Sequence, residues 1–233
     1  MVTRHLPPNY SAARESLHRL AEHVVSPARY AVTGKIGLRQ SPGGFATPPF
    51  GDTDRVVAVD LDHIVVTDHG EVRRAPITTI ADAARFVGIT PGAPAAVYTP
   101  STPLEPDAPL SVDLDAVEIL AMWCELTNMA LRAFAESIVE DEPTEAQLWP
   151  EHFDLAMSAD RINYGGSPGD GYIDVPYLYV GPFEGRPSEP DAFWNQPFGA
   201  AMGFDEIATI QDAFEFFRKG RTLAKTSRSR SGP

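Results

Sequence analysis

Apolar positions recur with helical spacing in four stretches of the chain. Tyr10, Ala13, Leu17, Leu20, Ala21 and Val24 form one stripe, which predicts a helix over about 10–25. It is expected to stop at Ser26-Pro27, because the residue before a proline is pushed out of the α region. A short helix is expected over 79–87, followed by Gly88 as its closing residue. The longest, over about 114–140, carries Leu114, Val117, Leu120, Ala121, Cys124, Leu131, Phe134 and Ile138 on one side. Ile119, Trp123, Leu126 and Ala130 widen that surface, and a helix apolar over most of its circumference is a central one. The fourth, over about 204–223, carries Ile207, Ile210, Phe214 and Phe217.

Between the helices the pattern predicts strands over 30–38, 56–59, 64–67, 72–77, 148–158 and 177–180. The second and third make a hairpin around Leu61-Asp62-His63, and Gly70 turns the chain into the fourth. Residues 89–112 contain six prolines and read as a linker. The resulting fold class is α+β, an antiparallel sheet with packed helices in one domain over 10–224. Residues 1–9 form an N-terminal extension and 225–233 a disordered basic tail. Two pseudo-repeated halves, 10–88 and 113–224, are suggested by three motif pairs that recur in the same order. Thr79-Ile80-x-Asp82-Ala83-x-x-Phe86 matches Thr209-Ile210-x-Asp212-Ala213-x-x-Phe216, Ser41-Pro42-Gly43-Gly44 matches Ser167-Pro168-Gly169-Asp170, and Pro49-Phe50-Gly51 matches Pro197-Phe198-Gly199.

Charge narrows the function classes. The formal net charge is −13, and the first 217 residues hold all 32 acids but 13 of the 19 bases, a net of −19. So acidic a body repels phosphate backbones, so nucleic acid is not an expected partner. No apolar run approaches the roughly 20 residues a bilayer span needs, and no secretory signal opens the chain. The single Cys124 excludes an internal disulfide and fits a reducing cytoplasm.

Candidate chemistry gathers in the second half. Read as a strand, Leu148–Ala156 would place His152 and Asp154 on one face about 7 Å apart, an arrangement suited to acid/base work or metal ligation. The loop Asn163–Gly171 has four glycines in nine residues, with Ser167 and Asp170 as polar groups. It matches neither a phosphate loop nor a dinucleotide fingerprint. Gly165-Gly166-Ser167-Pro168-Gly169 has the letters of a nucleophile elbow, but Pro168 lacks the N–H that an oxyanion hole there would use. Glu15, His18 and Glu22 share a face of the first helix and read as solvated i,i+4 pairs with Arg19. Cys124 lies on a core stripe and reads as a small hydrophobe. The aromatics between 172 and 198 could line a pocket for a small organic ligand.

The stretches QLWPEHFDLA, NYGGSPGDG, PYLYVGPF, FWNQPFGAA and GKIGLRQSPGGFATPPFG resemble an uncharacterised actinobacterial protein family. More distantly they resemble a larger domain of unknown function that shares a Trp/His-Phe-Asp-Leu-Ala strand and a late Phe-Trp or Phe-Tyr segment. The resemblance covers about residues 10–224 and implies one architecture, without an activity, substrate or cofactor. The residues themselves lead to the expectation of a small, largely apolar organic ligand bound near the His-Phe-Asp segment and the glycine-rich loop. Its site would use His152 and Asp154 with Tyr164, Ser167, Asp170, Trp194 and Asn195. A metal-assisted hydrolase or isomerase using His152 and Asp154, and a partner-binding structural module, are the alternatives; the cofactor is unknown.

Overall fold

A computed structural model describes residues 5–187 and 191–231. The fold is α+β, with two five-stranded antiparallel sheets. In chain order the elements are α1 (Tyr10–Leu20), a π-helical turn (Ala21–Val25), α2 (Ser26–Thr33), β1 (Arg39–Ser41), β2 (Gly44–Ala46), β3 (Val56–Asp60), β4 (His63–Asp68), β5 (Glu71–Pro76), α3 (Ile80–Val87) and α4 (Leu114–Ser137). There follow a 3₁₀ turn (Val139–Asp141), β6 (Gln147–Trp149), β7 (Asp154–Ala159), β8 (Ile162–Ser167), β9 (Tyr177–Pro182), β10 (Ala200–Gly203) and α5 (Ile210–Ser231). The sheets run β1-β2-β3-β4-β5 and β10-β9-β8-β7-β6. The chain divides into two compact units, one of His5–Glu125 with Gln147–Asp154, the other of Leu126–Ala146 with the residues from Leu155 onward.

In the first unit the helical path does not stop at Pro27. Proline removes an i→i−4 bond and crowds the carbonyl of residue i−4, here His23. The chain widens into a π turn just before it, where the Ser26 N–H reaches back to the Ala21 carbonyl. The His23 carbonyl accepts the Gly92 N–H at 3.0 Å instead. The helix ends at Thr33, with Gly34 left-handed at φ +70°, so the expected strand over 30–38 is helix and loop, with Leu38 bridging Leu148. The hairpin of β3 and β4 pairs Asp60 with His63, and β5 follows through the two-residue turn His69-Gly70, both at positive φ. Val57, Val59, Ile64 and Val66 alternate into the core.

The expected strand over 148–158 is interrupted. Residues 150–153 form a turn in which Phe153, at φ +53°, donates its N–H to the Trp149 carbonyl at 2.8 Å, and β7 starts only at Asp154. In the second unit half of the glycine-rich loop is strand β8. A Cβ on Gly166 would lie 2.6 Å from Thr127 Oγ1 of α4, and one on Gly165 would lie 2.5 Å from the Tyr179 ring of β9. The first glycine therefore serves close approach of the helix to the sheet, and the second that of a neighbouring strand's side chain. Phe134, Tyr164 and Phe217 form its aromatic centre, with ring centroids 4.9 to 6.0 Å apart. The expected disordered tail is helical through Ser231; Lys225 reaches Asp141 at 2.5 Å and Arg228 reaches Asp160 at 2.6 Å, partners distant in sequence. Residues 232–233 of that tail, and 1–4 of the expected extension, lie outside the described residues.

Each sheet is preceded and followed by helix, so the two halves share an element order. Thr79 and Thr209 both cap a helix, accepting the N–H of Asp82 at 3.0 Å and of Asp212 at 3.2 Å. The other two motif pairs sit at different turns. Ser41-Pro42-Gly43-Gly44 closes the β1–β2 hairpin, whereas Ser167-Pro168-Gly169-Asp170 opens the β8–β9 connection. Pro49-Phe50-Gly51 follows β2, and Pro197-Phe198-Gly199 precedes β10.

Gly220 on α5 gives a direct test of this packing. Alanine there gains about 1 kcal/mol of helix propensity. Its Cβ would, however, lie 2.8 Å from both Val180 methyls and 3.1 Å from the Phe193 ring. Overpacking costs about 1–3 kcal/mol, so Gly220→Ala is expected to lower the stability measured by urea unfolding despite the better helix former.

Candidate functional site

The proline-rich segment 89–112 is not a linker but a strap folded onto the first helix. It has no ladder to satisfy its backbone, and side chains of the first helix meet several of its groups. Ser16, Arg19, Glu22 and His23 recur at helical spacing and are all buried, at 6, 8, 0 and 2% exposure. Ser16 Oγ accepts the Ser111 N–H at 2.8 Å, and Arg19 donates to the Glu105 carbonyl at 3.1 Å. Glu22 accepts the N–H of Ser101 at 3.0 Å and of Thr102 at 2.8 Å, and the Thr102 hydroxyl at 2.5 Å. His23 Nδ1 accepts the Ala93 N–H at 3.2 Å while Nε2 donates to the Thr102 carbonyl at 3.2 Å, which fixes a neutral imidazole. Burial holds His23 below its ordinary pKa.

The strap meets the turn 150–153 beside Glu22. Ser101 Oγ donates to the Glu151 carbonyl at 2.5 Å. His18 donates from Nε2 to the Pro150 carbonyl at 2.9 Å, lies 3.8 Å from Glu22 Oε2, and stacks on Phe153 with centroids 5.2 Å apart. A carbonyl only accepts, so Nε2 carries the proton and Nδ1 presents a lone pair. Burial outweighs the Glu22 carboxylate and pushes His18 down to about 4, so it is neutral near pH 7. On the strap, Tyr98 is pushed above its ordinary range by burial first and then by Glu22 and Glu151. Tyr98 Oη and Glu151 Oε2 are buried without a hydrogen-bond partner. Several other buried polar atoms share that condition, Tyr164 Oη and Thr127 Oγ1 among them. Tyr98 and Glu151 stand apart because they act on one another beside a second, fully buried carboxylate, Glu22.

Of the residues singled out in the sequence, His152 is exposed in the turn and Asp154 is buried at the start of β7. The turn abolishes the shared strand face that would have paired them. Among the described residues no group of three His, Cys, Asp or Glu side chains is placed to hold a metal ion. Tyr164 is fully buried in the aromatic centre of the second unit. Ser167, three residues along β8 and so on the opposite face, accepts the Gly169 N–H at 3.1 Å. Asp170 accepts from the Tyr172 and Ile173 amides and the Tyr177 hydroxyl at 2.7 to 2.8 Å, which ties the loop to β9. Trp194 is buried against Phe193, and Asn195 bonds the Ala201 N–H and C=O, both at 2.9 Å. Asp170 and Asn195 thus serve the loop and the edge of β10 rather than a common pocket. Cys124 has its thiol pushed up to about 12 by desolvation and Glu125, which keeps it unreactive. Of the face read as solvated, Glu15 is exposed, but His18 and Glu22 are not.

A cleft of about 490 Å³ in the second unit is lined by Glu142, Thr144, Ser158, Asp160, Phe183 and Lys225, among others. Its charges largely neutralise one another: Asp141 takes Arg221 and Lys225 at 2.5 Å, and Asp160 takes Arg228. Burial raises the Asp141 carboxyl, but hydrogen bonds from Arg221 and Lys225 outweigh it and hold the group below the usual carboxylate range.

The buried histidines set a pH dependence. In the folded chain His18 and His23 stay neutral where the unfolded chain binds a proton, so stability is full above about pH 6.5 and declines as pH falls toward 4. Between pH 7 and 5 the His18 contribution is on the order of 2 kcal/mol. Urea unfolding of the wild type should weaken over that interval, and His18→Gln, which cannot titrate, should flatten the profile. Equal slopes would contradict the assignment.

No protein-family model matches the chain, and neither a curated protein nor a solved structure matches it.

Proposed function

We propose that this chain binds a small polar organic molecule at the junction of the strap, the π turn and the 150–153 turn. The observation that carries the reading is the pair of buried, unpartnered atoms, Tyr98 Oη and Glu151 Oε2, set beside the Glu22 carboxylate. A buried polar atom left unsatisfied costs about 1–3 kcal/mol, so two together mark a place where something else completes the bonding. A ligand hydroxyl would donate to Glu151 and accept from Tyr98, and a ligand ammonium would donate to Glu151. The π turn supports the reading, since such turns are frequent at functional sites.

This keeps a small organic ligand near residues 150–153, but takes it as polar rather than largely apolar and moves the polar groups from the glycine-rich loop to the strap. Metal-assisted chemistry at His152 and Asp154 has no geometric support once the turn separates them. A cytoplasmic setting without nucleic-acid partners accords with the lone cysteine and the acidic body. No helix among the described residues is long and apolar enough to cross a membrane.

A thermal-shift panel of amino alcohols, diamines and monosaccharides tests the reading. At least one class should raise the melting temperature of the wild type and lose its effect in both Tyr98→Phe and Glu151→Gln, while Asp170→Asn keeps it. A hit indifferent to Tyr98 and Glu151, or a panel without hits at millimolar concentration, would contradict it.

A further inference from the structure

The first sheet ends in β5, which β4 covers on one side only. Every backbone group on the other side is a bonding template unless something blocks it. The register shows which groups those are. Ile77 donates to the Asp62 carbonyl at 2.8 Å, and the same pairing matches Ala75 with Ile64 and Arg73 with Val66. Odd-numbered residues therefore bond to β4, and the N–H and C=O of Val72 and Arg74 point outward. The second sheet blocks its own edge, because the Asn195 amide occupies both backbone groups of Ala201 on β10. No comparable side-chain clamp covers Val72 or Arg74 among the described residues. Val72, at 62% exposure, is also among the most exposed large apolar side chains.

We propose that β5 pairs antiparallel with β5 of a second copy of this chain, about a two-fold axis at Val72. Two copies of one edge strand can face each other only in registers that bring outward-facing residues opposite one another, so the choices are few. Centred on Val72, the pairing bonds Val72 to its copy through both backbone groups. It sets Glu71 opposite the second copy's Arg73, twice by symmetry, on one face of the sheet, and Val72 against Val72 on the other. Arg74 then faces Gly70, which has no side chain to oppose it. Centred on Arg74, the pairing sets like charges directly opposite and brings in Pro76, which has no N–H to donate. Charge complementarity thus selects one register and one occupant. Arg73 is already steadied on its face by the Phe86 ring, 5.1 Å below the guanidinium.

Sedimentation velocity of the full chain, from low micromolar to several hundred micromolar, tests the pairing. The wild type should show a concentration-dependent dimer. Glu71→Arg should weaken it by about tenfold or more, because two attractive pairs become repulsive. Arg73→Glu should do the same, and the double swap should restore the dimer. Val72→Lys, which leaves those charges alone, should also give a monomer. All these side chains are exposed, so far-UV circular dichroism should be unchanged in each variant. A wild type that stays monomeric throughout, or a dimer that survives Glu71→Arg or Val72→Lys, would overturn the proposal.

Discussion

The carboxylate of Glu22 joins two parts of the first unit that regular secondary structure does not connect. The strap over 89–112 is rich in proline and lacks a helix or ladder, so regular secondary structure leaves many of its amides to be met by other groups. Glu22 takes two of them and a hydroxyl from inside a π turn, with no exposure to solvent. A carboxyl group at that depth is tolerated because three donors surround it. Ser16, Arg19 and His23 repeat the device along the same helix, so its polar side is as much an interior as its apolar one.

That arrangement accounts for the geometry at Pro27. A proline inside a helix frees a carbonyl, and here the freed His23 carbonyl receives Gly92 from the strap. The π turn, the proline and the strap are one structural solution. It also places Tyr98 and Glu151 beside Glu22, which is why the proposed ligand site sits at this junction and not at the glycine-rich loop.

Much of the fold was legible in the periodicity. The stripe of α1, the closing glycine of α3, the β3–β4 hairpin and the long apolar α4 follow from the pattern of residues along the chain. What failed was of one kind. His18 and Glu22 read as solvated because charged residues on a helix usually are; their partners, the Pro150 carbonyl for His18 and the Ser101 and Thr102 amides for Glu22, lie far along the chain. The tail read as disordered because Lys225 and Arg228 show their use only beside Asp141 and Asp160. His152 and Asp154 read as one strand face because nothing in their letters demands the positive φ of Phe153. Tyr98 carried no signal, lying among prolines in a segment taken for a linker. Composition reports a residue's habits, and here the site was built where residues depart from them.

The docking of the strap by Glu22 is most directly tested by amide hydrogen exchange at Ser101 and Thr102, in the wild type and in Glu22→Gln. Both amides should be strongly protected in the wild type, as buried hydrogen-bonded amides are. Glu22→Gln should strip that protection from the strap and leave β3 and β4 unchanged. Exchange at Ser101 and Thr102 as fast as at exposed Thr99 in the wild type, or protection untouched by the substitution, would contradict the account.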